Sequence, residues 1–170
     1  FRCREAIVLD VRDNAAIAAF VTALPRLDIL VNCAGTIRRG AEHDPAIFAE
    51  VLDINLTGTM RLCAAARPLL ARTGGCIVNT ASMLAFFGGG LVPGYSASKG
   101  GVAQLTKSLA IAYAADKIRV NAIAPGGVDT PMTNDAAATG RNNFSGENRV
   151  AILKMMMRNR MPSRRGAMWL

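Results

Sequence analysis

The amino-acid sequence predicts an α/β fold built on a doubly wound parallel sheet. Short apolar segments alternate along the chain with longer segments of helical spacing, and glycine or proline separates several of them. Strands that are apolar along their length need helices on both faces of the sheet, which is the arrangement of α/β proteins. Of the 170 residues, 51% are hydrophobic and 19% charged, which is enough apolar material for one domain over residues 1–170.

Four segments have the composition of buried strands. They lie at residues 6–10, 28–32, 76–79 and 119–124. Each is short, contains Val or Ile, and ends near a polar residue, glycine or proline. In a parallel sheet, ligands bind beyond the carboxyl ends of the strands, so the residues that follow these segments are the first candidates for a functional site.

Helical spacing follows the predicted strands. The predicted helices cover 14–24, about 45–72, 95–116 and 147–161. Pro25 ends the first helix, Gly74 and Gly75 end the second, and a loop is predicted at 134–148. The alternation of strands and helices continues for most of the chain, without an internal repeat or a domain boundary.

Composition argues against several classes of protein. There is no run of about 18 apolar residues and no signal peptide, so neither a membrane span nor a membrane partner is expected. Four cysteines without a C-x-x-C pair, together with one histidine, argue against a metal site and favour a reduced, cytoplasmic protein. The net charge of +8 lies mostly in residues 136–170. We expect this basic segment to pack against, or to be followed by, acidic protein sequence, rather than to bind nucleic acid.

The sequence Tyr-Ser-Ala-Ser-Lys at the start of the third predicted helix is the strongest chemical signal. Tyr95 and Lys99 are four residues apart and therefore lie on one helical face. A free phenol is a poor base at neutral pH, and a nearby ammonium lowers its pKa. The pair could therefore donate or accept a proton near neutral pH. A surface tyrosine beside a solvated lysine is the alternative.

Three further features strengthen the chemical interpretation. Ser82 follows the third predicted strand and could hold a carbonyl oxygen for the same proton transfer. Asn55 lies inside the second predicted helix, where a buried amide needs partners such as a bound water. The small residues Ala34 and Gly35 follow a strand and would let a ligand approach the backbone.

Together these motifs resemble those of the short-chain dehydrogenases/reductases. The resemblance runs over about residues 6–132 and uses several motifs in the family's order. Residues 32–35 match the family's N-[NC]-A-G pattern, and Tyr95 and Lys99 match its Y-x-x-x-K pattern. Pro125, Gly126 and Thr130 match its P-G-x-x-x-T pattern. Ser82 and Asn55 correspond to its catalytic serine and its helix asparagine.

The resemblance implies a Rossmann-like fold and hydride transfer between NAD or NADP and a hydroxyl or carbonyl carbon. It implies that Tyr95 exchanges a proton with the substrate, Lys99 lowers the tyrosine pKa and binds the nicotinamide ribose, Ser82 orients the carbonyl, and Asn55 holds a water. The other cofactor-binding residues that it implies are Asp10 and Val11 at the adenine, Asn32, Ala34 and Gly35 on the adenosine side, and Pro125, Gly126, Val128 and Thr130 at the nicotinamide. It also implies a homo-dimer or tetramer formed through the long helices.

A narrower resemblance concerns the substrate. Residues 36–39, 81–86 and 89–95 are similar to those of the 2-deoxy-D-gluconate 3-dehydrogenase and gluconate 5-dehydrogenase group. Arg38 and Arg39 could bind a sugar-acid carboxylate through paired hydrogen bonds, or could be ordinary solvated loop charges. Two other functions stay open: a 3-oxoacyl carrier-protein reductase, and an inactive fragment that acts at most as a binding module.

The sequence also departs from the family pattern. No G-x-x-x-G-x-G turn occurs, although that turn would hold the cofactor pyrophosphate at a helix N-terminus. The first two strands and the last strand of the family fold are not found, so we expect a truncated, incomplete domain that binds a dinucleotide weakly. The segment 6–10 would then lack its usual neighbour, and would pair directly with 28–32, move or fray.

Overall fold

The computed structural model describes residues 7–127 and confirms the α/β fold with a parallel sheet. Its three strands are β1 (Ile29–Asn32), β2 (Cys76–Thr80) and β3 (Arg119–Ile123), in the order β1-β2-β3. The register places Asn32 beside Asn79 and Thr80 beside Ile123. All three strands therefore end at the same edge of the sheet.

Four α-helices connect and cover the strands. They are α1 (Asn14–Ala23), α2 (Pro45–Leu52), α3 (Gly58–Thr73) and α4 (Pro93–Ala112). The carboxylates of Asp13 and Asp44 accept hydrogen bonds from the first backbone N–H groups of α1 and α2. Gly74 ends α3 with a φ of +61°, a left-handed conformation that glycine adopts without strain. None of the helices within 7–127 is both long and apolar enough to cross a membrane.

The second predicted helix is divided in the structure. A π-helical turn at Asp53–Thr57 joins α2 to α3, and Asn55 lies within it. Gly58 begins α3 directly under the side chain of Val11, where an added Cβ would lie 2.7 Å from a Val11 methyl carbon. The absence of a side chain at Gly58 therefore lets the segment that precedes α1 pack closely on α3. The predicted helix at 147–161 and the loop at 134–148 lie outside the described residues.

The main core lies between α3, α4 and the sheet. Its fully buried members include Leu70 on α3 and Ile77 on β2, both without measurable exposure. A smaller apolar cluster of Ala81, Val102 and Ala124 lies beneath the ends of β2 and β3. Both clusters hold α4 against the sheet, and this fixes the first turn of α4 relative to the strand ends.

The predicted strand at 6–10 is wrong for residues 7–10, which form no strand. Val8 is 103% exposed and Ile7 50%, so the apolar pattern of this segment is not buried. Within the described residues, β1 pairs only with β2, and its free edge exposes Ile29 and Val31. A strand needs a hydrogen-bonded neighbour as well as apolar side chains, and residues 7–10 have none. Such an apolar edge favours association with other strands.

Candidate active site

The strand ends bring the segments that follow them into contact. The Met83 N–H donates to the carbonyl of Pro125 at 3.0 Å, and the Ala81 N–H donates to the carbonyl of Ile123 at 2.8 Å. Ser82 lies between these two bonds and begins a short 3₁₀ turn, accepting a hydrogen bond from the Leu84 N–H at 3.2 Å. The main chain thus fixes the Ser82 hydroxyl at the edge where the parallel strands end, as the sequence predicts.

Lys99 reaches this edge from α4. Its side chain is only 4% exposed, and Nζ donates to the carbonyl of Thr80 at 2.7 Å. Burial lowers the pKa of Lys99 to about 8, since the charged form is poorly solvated there. The Cys33 thiol lies nearby, 3.5 Å from the Thr80 hydroxyl. The amine is therefore fixed at the strand end, and it changes its charge close to neutral pH.

Tyr95 lies one helical turn before Lys99 and faces Ser82. Lys99 Nζ is 5.5 Å from the centroid of the Tyr95 ring. Burial raises the pKa of the Tyr95 phenol, while the neighbouring Ser82 hydroxyl and the charge of Arg39 oppose that rise. The net direction is opposite to the lowering by Lys99 that was expected from the sequence. The reason is that desolvation of the phenol outweighs the neighbouring charges.

Asn55 is fully buried and connects three segments. Its Nδ2 donates to the carbonyl of Thr36 and to the Ser98 hydroxyl, both at 3.0 Å, and its Oδ1 accepts from the Thr36 N–H at 2.7 Å. Its own carbonyl accepts a hydrogen bond from the Thr59 hydroxyl at 2.8 Å. The π-helical turn thus presents an amide that ties the segment after β1 to α4, beside Lys99.

Replacing Asn55 with Asp is expected to destabilise the fold by about 2–4 kcal/mol. The new carboxylate would face the carbonyl oxygen of Thr36 without a donor, and a buried group without its partner is costly. Urea unfolding would measure the change. The same replacement at Asn14, an exposed residue at the start of α1, is the control and should cost nothing. Equal stability of the two variants would contradict the role given to the buried amide.

Glu42 is a site residue that sequence reasoning missed. It lies in a segment rich in charged residues, yet it is only 1% exposed. Oε1 accepts the Arg38 N–H at 2.8 Å, and Oε2 accepts the Tyr95 N–H at 2.7 Å. No local pattern signals this burial, because the partner N–H of Tyr95 comes from a distant helix.

The two candidate substrate arginines have different surroundings. Arg38 is half-exposed and pairs with Glu50 at 3.5 Å. Arg39 is exposed, and its charge lowers the pKa of the Tyr95 phenol. Both lie on residues 38–43, called here the arginine loop. Within residues 7–127, Arg38 has an acidic partner, whereas Arg39 forms no salt bridge.

Asn32 turns its side chain into the core rather than toward the site. Nδ2 donates to Asn79 Oδ1 at 2.8 Å and to Cys63 Sγ at 3.3 Å, and Asn79 Nδ2 donates to the Thr106 hydroxyl at 3.0 Å. These bonds join β1, β2, α3 and α4 beneath the strand ends. The predicted binding role of Asn32 could therefore involve only its backbone, while its amide holds the elements together.

The remaining predicted residues lie at several places. Asp10 is exposed and pairs with Arg12 at 2.7 Å, which lowers the pKa of its carboxyl to about 2. Val11 is buried on α3. Ala34 and Gly35 follow β1, and Gly126 follows Pro125 beyond β3. Val128 and Thr130 lie outside the described residues.

Comparison with known proteins gives the family. A family model for short chain dehydrogenases matches residues 4–140. A 2-dehydro-3-deoxy-D-gluconate 5-dehydrogenase of Pseudoalteromonas atlantica is 44% identical over 131 residues, which is 73% of this chain and 52% of that protein. The enzyme of the same name from Bacillus subtilis is 49% identical over 111 residues, 64% of this chain and 44% of that protein.

Solved structures agree. A proposed NAD(P)-dependent gluconate 5-dehydrogenase from Beutenbergia cavernae, crystallised with NADP at low occupancy, superposes with a TM-score of 0.73 and 38% identity. The match covers 81% of this chain and 58% of that one. The chain spans about half the length of the curated relatives that it matches. On this match of fold, sequence and motif order, the chain belongs to the short-chain dehydrogenase family.

Proposed function

We propose that this chain carries the proton-transfer part of an NAD- or NADP-dependent oxidoreductase that interconverts a hydroxyl and a carbonyl group on a sugar acid. The observation that carries the proposal is the meeting of Tyr95, Ser82 and Lys99 at one edge of the parallel sheet. Parallel α/β sheets bind their ligands at this edge. The names of the sugar-acid relatives support the substrate class.

The chemistry proposed for the chain itself is proton transfer. The Ser82 and Tyr95 hydroxyls would both hydrogen-bond the substrate oxygen, and Tyr95 would donate its proton as a carbonyl becomes an alcohol. In the reverse direction, the deprotonated phenol would accept the alcohol proton. The hydrogen bonds of Asn55 hold the segment after β1 beside α4, and so maintain the geometry of the site. A bound nicotinamide supplies or accepts the hydride.

The residues present fit the nicotinamide-ribose end of such a cofactor. Lys99 Nζ carries three donors, and in the described part of the chain only the Thr80 carbonyl accepts from it. Gly35 lies next to this nitrogen, since a Cβ added there would lie 3.8 Å from it. The pyrophosphate end is different, because the 170 residues contain no G-x-x-x-G-x-G turn. Lys99 and the backbone at Gly35 would hold the ribose.

The substrate carboxylate is assigned to Arg39. Arg38 already has an acidic partner in Glu50, whereas Arg39 acts on the Tyr95 phenol. A guanidinium binds a carboxylate through two parallel hydrogen bonds and so fixes its orientation. A carboxylate held there would place the rest of a small sugar acid over Tyr95 and Ser82.

Nicotinamide absorbance would test the function. The purified chain is incubated with NAD or NADP and 2-dehydro-3-deoxy-D-gluconate, and with a neutral sugar and a 3-hydroxyacyl thioester as controls. We expect reduction of the nicotinamide with the sugar acid, as its hydroxyl is oxidised to a carbonyl. Turnover of the thioester alone would favour a carrier-protein reductase. Binding of neither nicotinamide, measured by calorimetry, would favour an inactive module, a reading that the missing glycine-rich turn supports.

Replacing Arg39 with Gln is expected to raise KM for the sugar acid by about 10–100-fold, with a smaller effect on kcat. That range corresponds to losing a charge-assisted hydrogen-bonded pair. The neutral sugar should be oxidised by both proteins at similar rates. Arg38→Gln is the matched control, because that arginine pairs with Glu50. A larger effect at Arg38 than at Arg39 would contradict the assignment.

A further inference from the structure

The first turn of α4 has no capping residue of its own. The residue before the helix is Val92, whose side chain has no acceptor, and no side-chain hydrogen bond from it caps the helix. The N–H groups of a first turn have no partner inside the helix and need an acceptor from elsewhere. Tyr95 is the third residue of α4, and its N–H is one of these groups. The cap must therefore come from another part of the chain.

Glu42 supplies this acceptor. Its Oε2 lies 2.7 Å from the Tyr95 N, and a carboxylate at a helix N-terminus is favoured by the helix dipole. In the described part of the chain, no cation forms a salt bridge with Glu42. Burying an unpaired carboxylate is costly unless hydrogen bonds satisfy it. Both carboxylate oxygens of Glu42 accept hydrogen bonds from backbone N–H groups, and these bonds offset the cost of its burial.

The second oxygen of the carboxylate holds the arginine loop. Oε1 lies 2.8 Å from the Arg38 N. Two further bonds join the same loop to the segment before α4: the Gly40 N–H donates to the Leu91 carbonyl at 2.7 Å, and His43 Nε2 lies 2.9 Å from the Gly90 carbonyl oxygen. The loop and the start of α4 therefore form one connected unit, with Glu42 at its centre.

We propose that Glu42 is a positioning residue, whose single buried carboxylate fixes the arginine loop to the first turn of α4 and so sets the position of Arg39 relative to Tyr95. This inference rests on the proposed function, because it assigns the substrate carboxylate to Arg39 and the proton transfer to Tyr95. Glu42 itself touches neither substrate nor cofactor. Its role is to hold the loop that carries Arg39 against the helical turn that carries Tyr95.

Amide hydrogen exchange in Glu42→Gln tests the contact without any activity. Glutamine has one carbonyl oxygen, so it can accept only one of the two N–H groups, and its own NH₂ would face the other. We expect the Tyr95 or the Arg38 amide to exchange about tenfold faster or more, which corresponds to losing one such bond. Asp116→Asn removes one negative charge from a carboxylate that pairs with Arg67 instead, and should leave both amides unchanged. Unchanged exchange of both amides in Glu42→Gln would overturn the proposal.

Ligand titration separates positioning from simple stabilisation. Adding gluconate as a carboxylate probe to the wild-type chain should shift the amide signals of the arginine loop and of Tyr95 together. In Glu42→Gln the loop signals should shift while Tyr95 stays in place. A Tyr95 shift as large as in the wild type would overturn the coupling. If no loop signal shifts in the wild type, the sugar-acid assignment fails and the exchange result alone decides the contact.

Gly94→Ala is a second variant that keeps the carboxylate. A Cβ at Gly94 would lie 3.3 Å from Glu42 Oε2 and 3.3 Å from Phe48 Cδ2, so the carboxylate must move by a few tenths of an ångström. Alanine favours the helix, so the variant is expected to fold even if Glu42→Gln does not. We expect the Tyr95 amide proton signal to move and the Arg38 signal to stay. An unmoved Tyr95 signal would count against the proposal.

Discussion

Replacing Tyr95 with Phe is expected to lower the rate of hydride transfer by about 10²–10⁴-fold, the usual contribution of a positioned acid or base. The change removes one hydroxyl and keeps the ring. The substrate oxygen would then lose its proton-transfer partner, while the Ser82 hydroxyl stays in place. The oxidation of 2-dehydro-3-deoxy-D-gluconate, followed by nicotinamide absorbance, would measure the loss.

Tyr113→Phe is the matched control for this variant. Tyr113 is the only other tyrosine in the chain, and it is buried in the main core with Arg67 4.5 Å above its ring. Its removal should leave the rate unchanged. A Tyr95→Phe variant that keeps more than about a tenth of the wild-type rate would contradict the proposed proton transfer.

The raised pKa of Tyr95 gives the two directions of the reaction different pH dependences. Burial keeps the phenol protonated at neutral pH, which suits donation of a proton to a carbonyl. Alcohol oxidation needs the deprotonated phenol, so its rate should rise with pH toward the tyrosine pKa. Arg39 and the neighbouring Ser82 hydroxyl both lower that pKa and so bring this rise to lower pH. Carbonyl reduction should fall over the same range.

Local patterns were sufficient to predict most of the elements and the central group of the site. The predicted strands at 28–32, 76–79 and 119–124 correspond to β1, β2 and β3, because each segment is apolar and bounded by turn residues. Tyr95 and Lys99 share a helical face through their spacing alone. Ser82 meets them because parallel strands end at one edge, which is a rule of the fold rather than of any residue.

Features that depend on distant partners could not be predicted in this way. Residues 7–10 have the pattern of a strand, but a strand also needs a neighbour. Glu42 is buried because the first turn of α4 lacks a cap, and the two segments lie over 50 residues apart in sequence. The pKa of Tyr95 rises because desolvation exceeds the nearby charges, and the extent of burial is known only once the segments are packed.

Replacing Lys99 with Met is expected to stabilise the fold at pH 7 by about 2 kcal/mol while removing activity. The pKa of Lys99 falls from its usual 10.5 to about 8 on folding, so burying the charged amine costs about 3 kcal/mol at pH 7. Losing the bond to the Thr80 carbonyl offsets about 1 kcal/mol of the gain. Urea unfolding at a series of pH values would measure the difference between the two proteins.

The pH dependence identifies the cause. The unfolded chain binds the lysine proton up to about pH 10.5 and the folded chain only up to about pH 8, so wild-type stability gains from this group as pH rises between those values. The advantage of Lys99→Met should therefore shrink over that range. Cys63, whose pKa burial raises to about 12, acts in the opposite direction at high pH, but equally in both proteins.

Lys107→Met, an exposed position on the same helix, is the control and should change neither stability nor its pH dependence. A Lys99→Met variant that is less stable than the wild type at pH 7 would show that the buried ammonium stabilises the fold. The expected result has a different meaning: an amine held at the strand end at a net cost in stability is retained for the ligand that it binds. Stability and the proposed function would then oppose each other at one nitrogen atom.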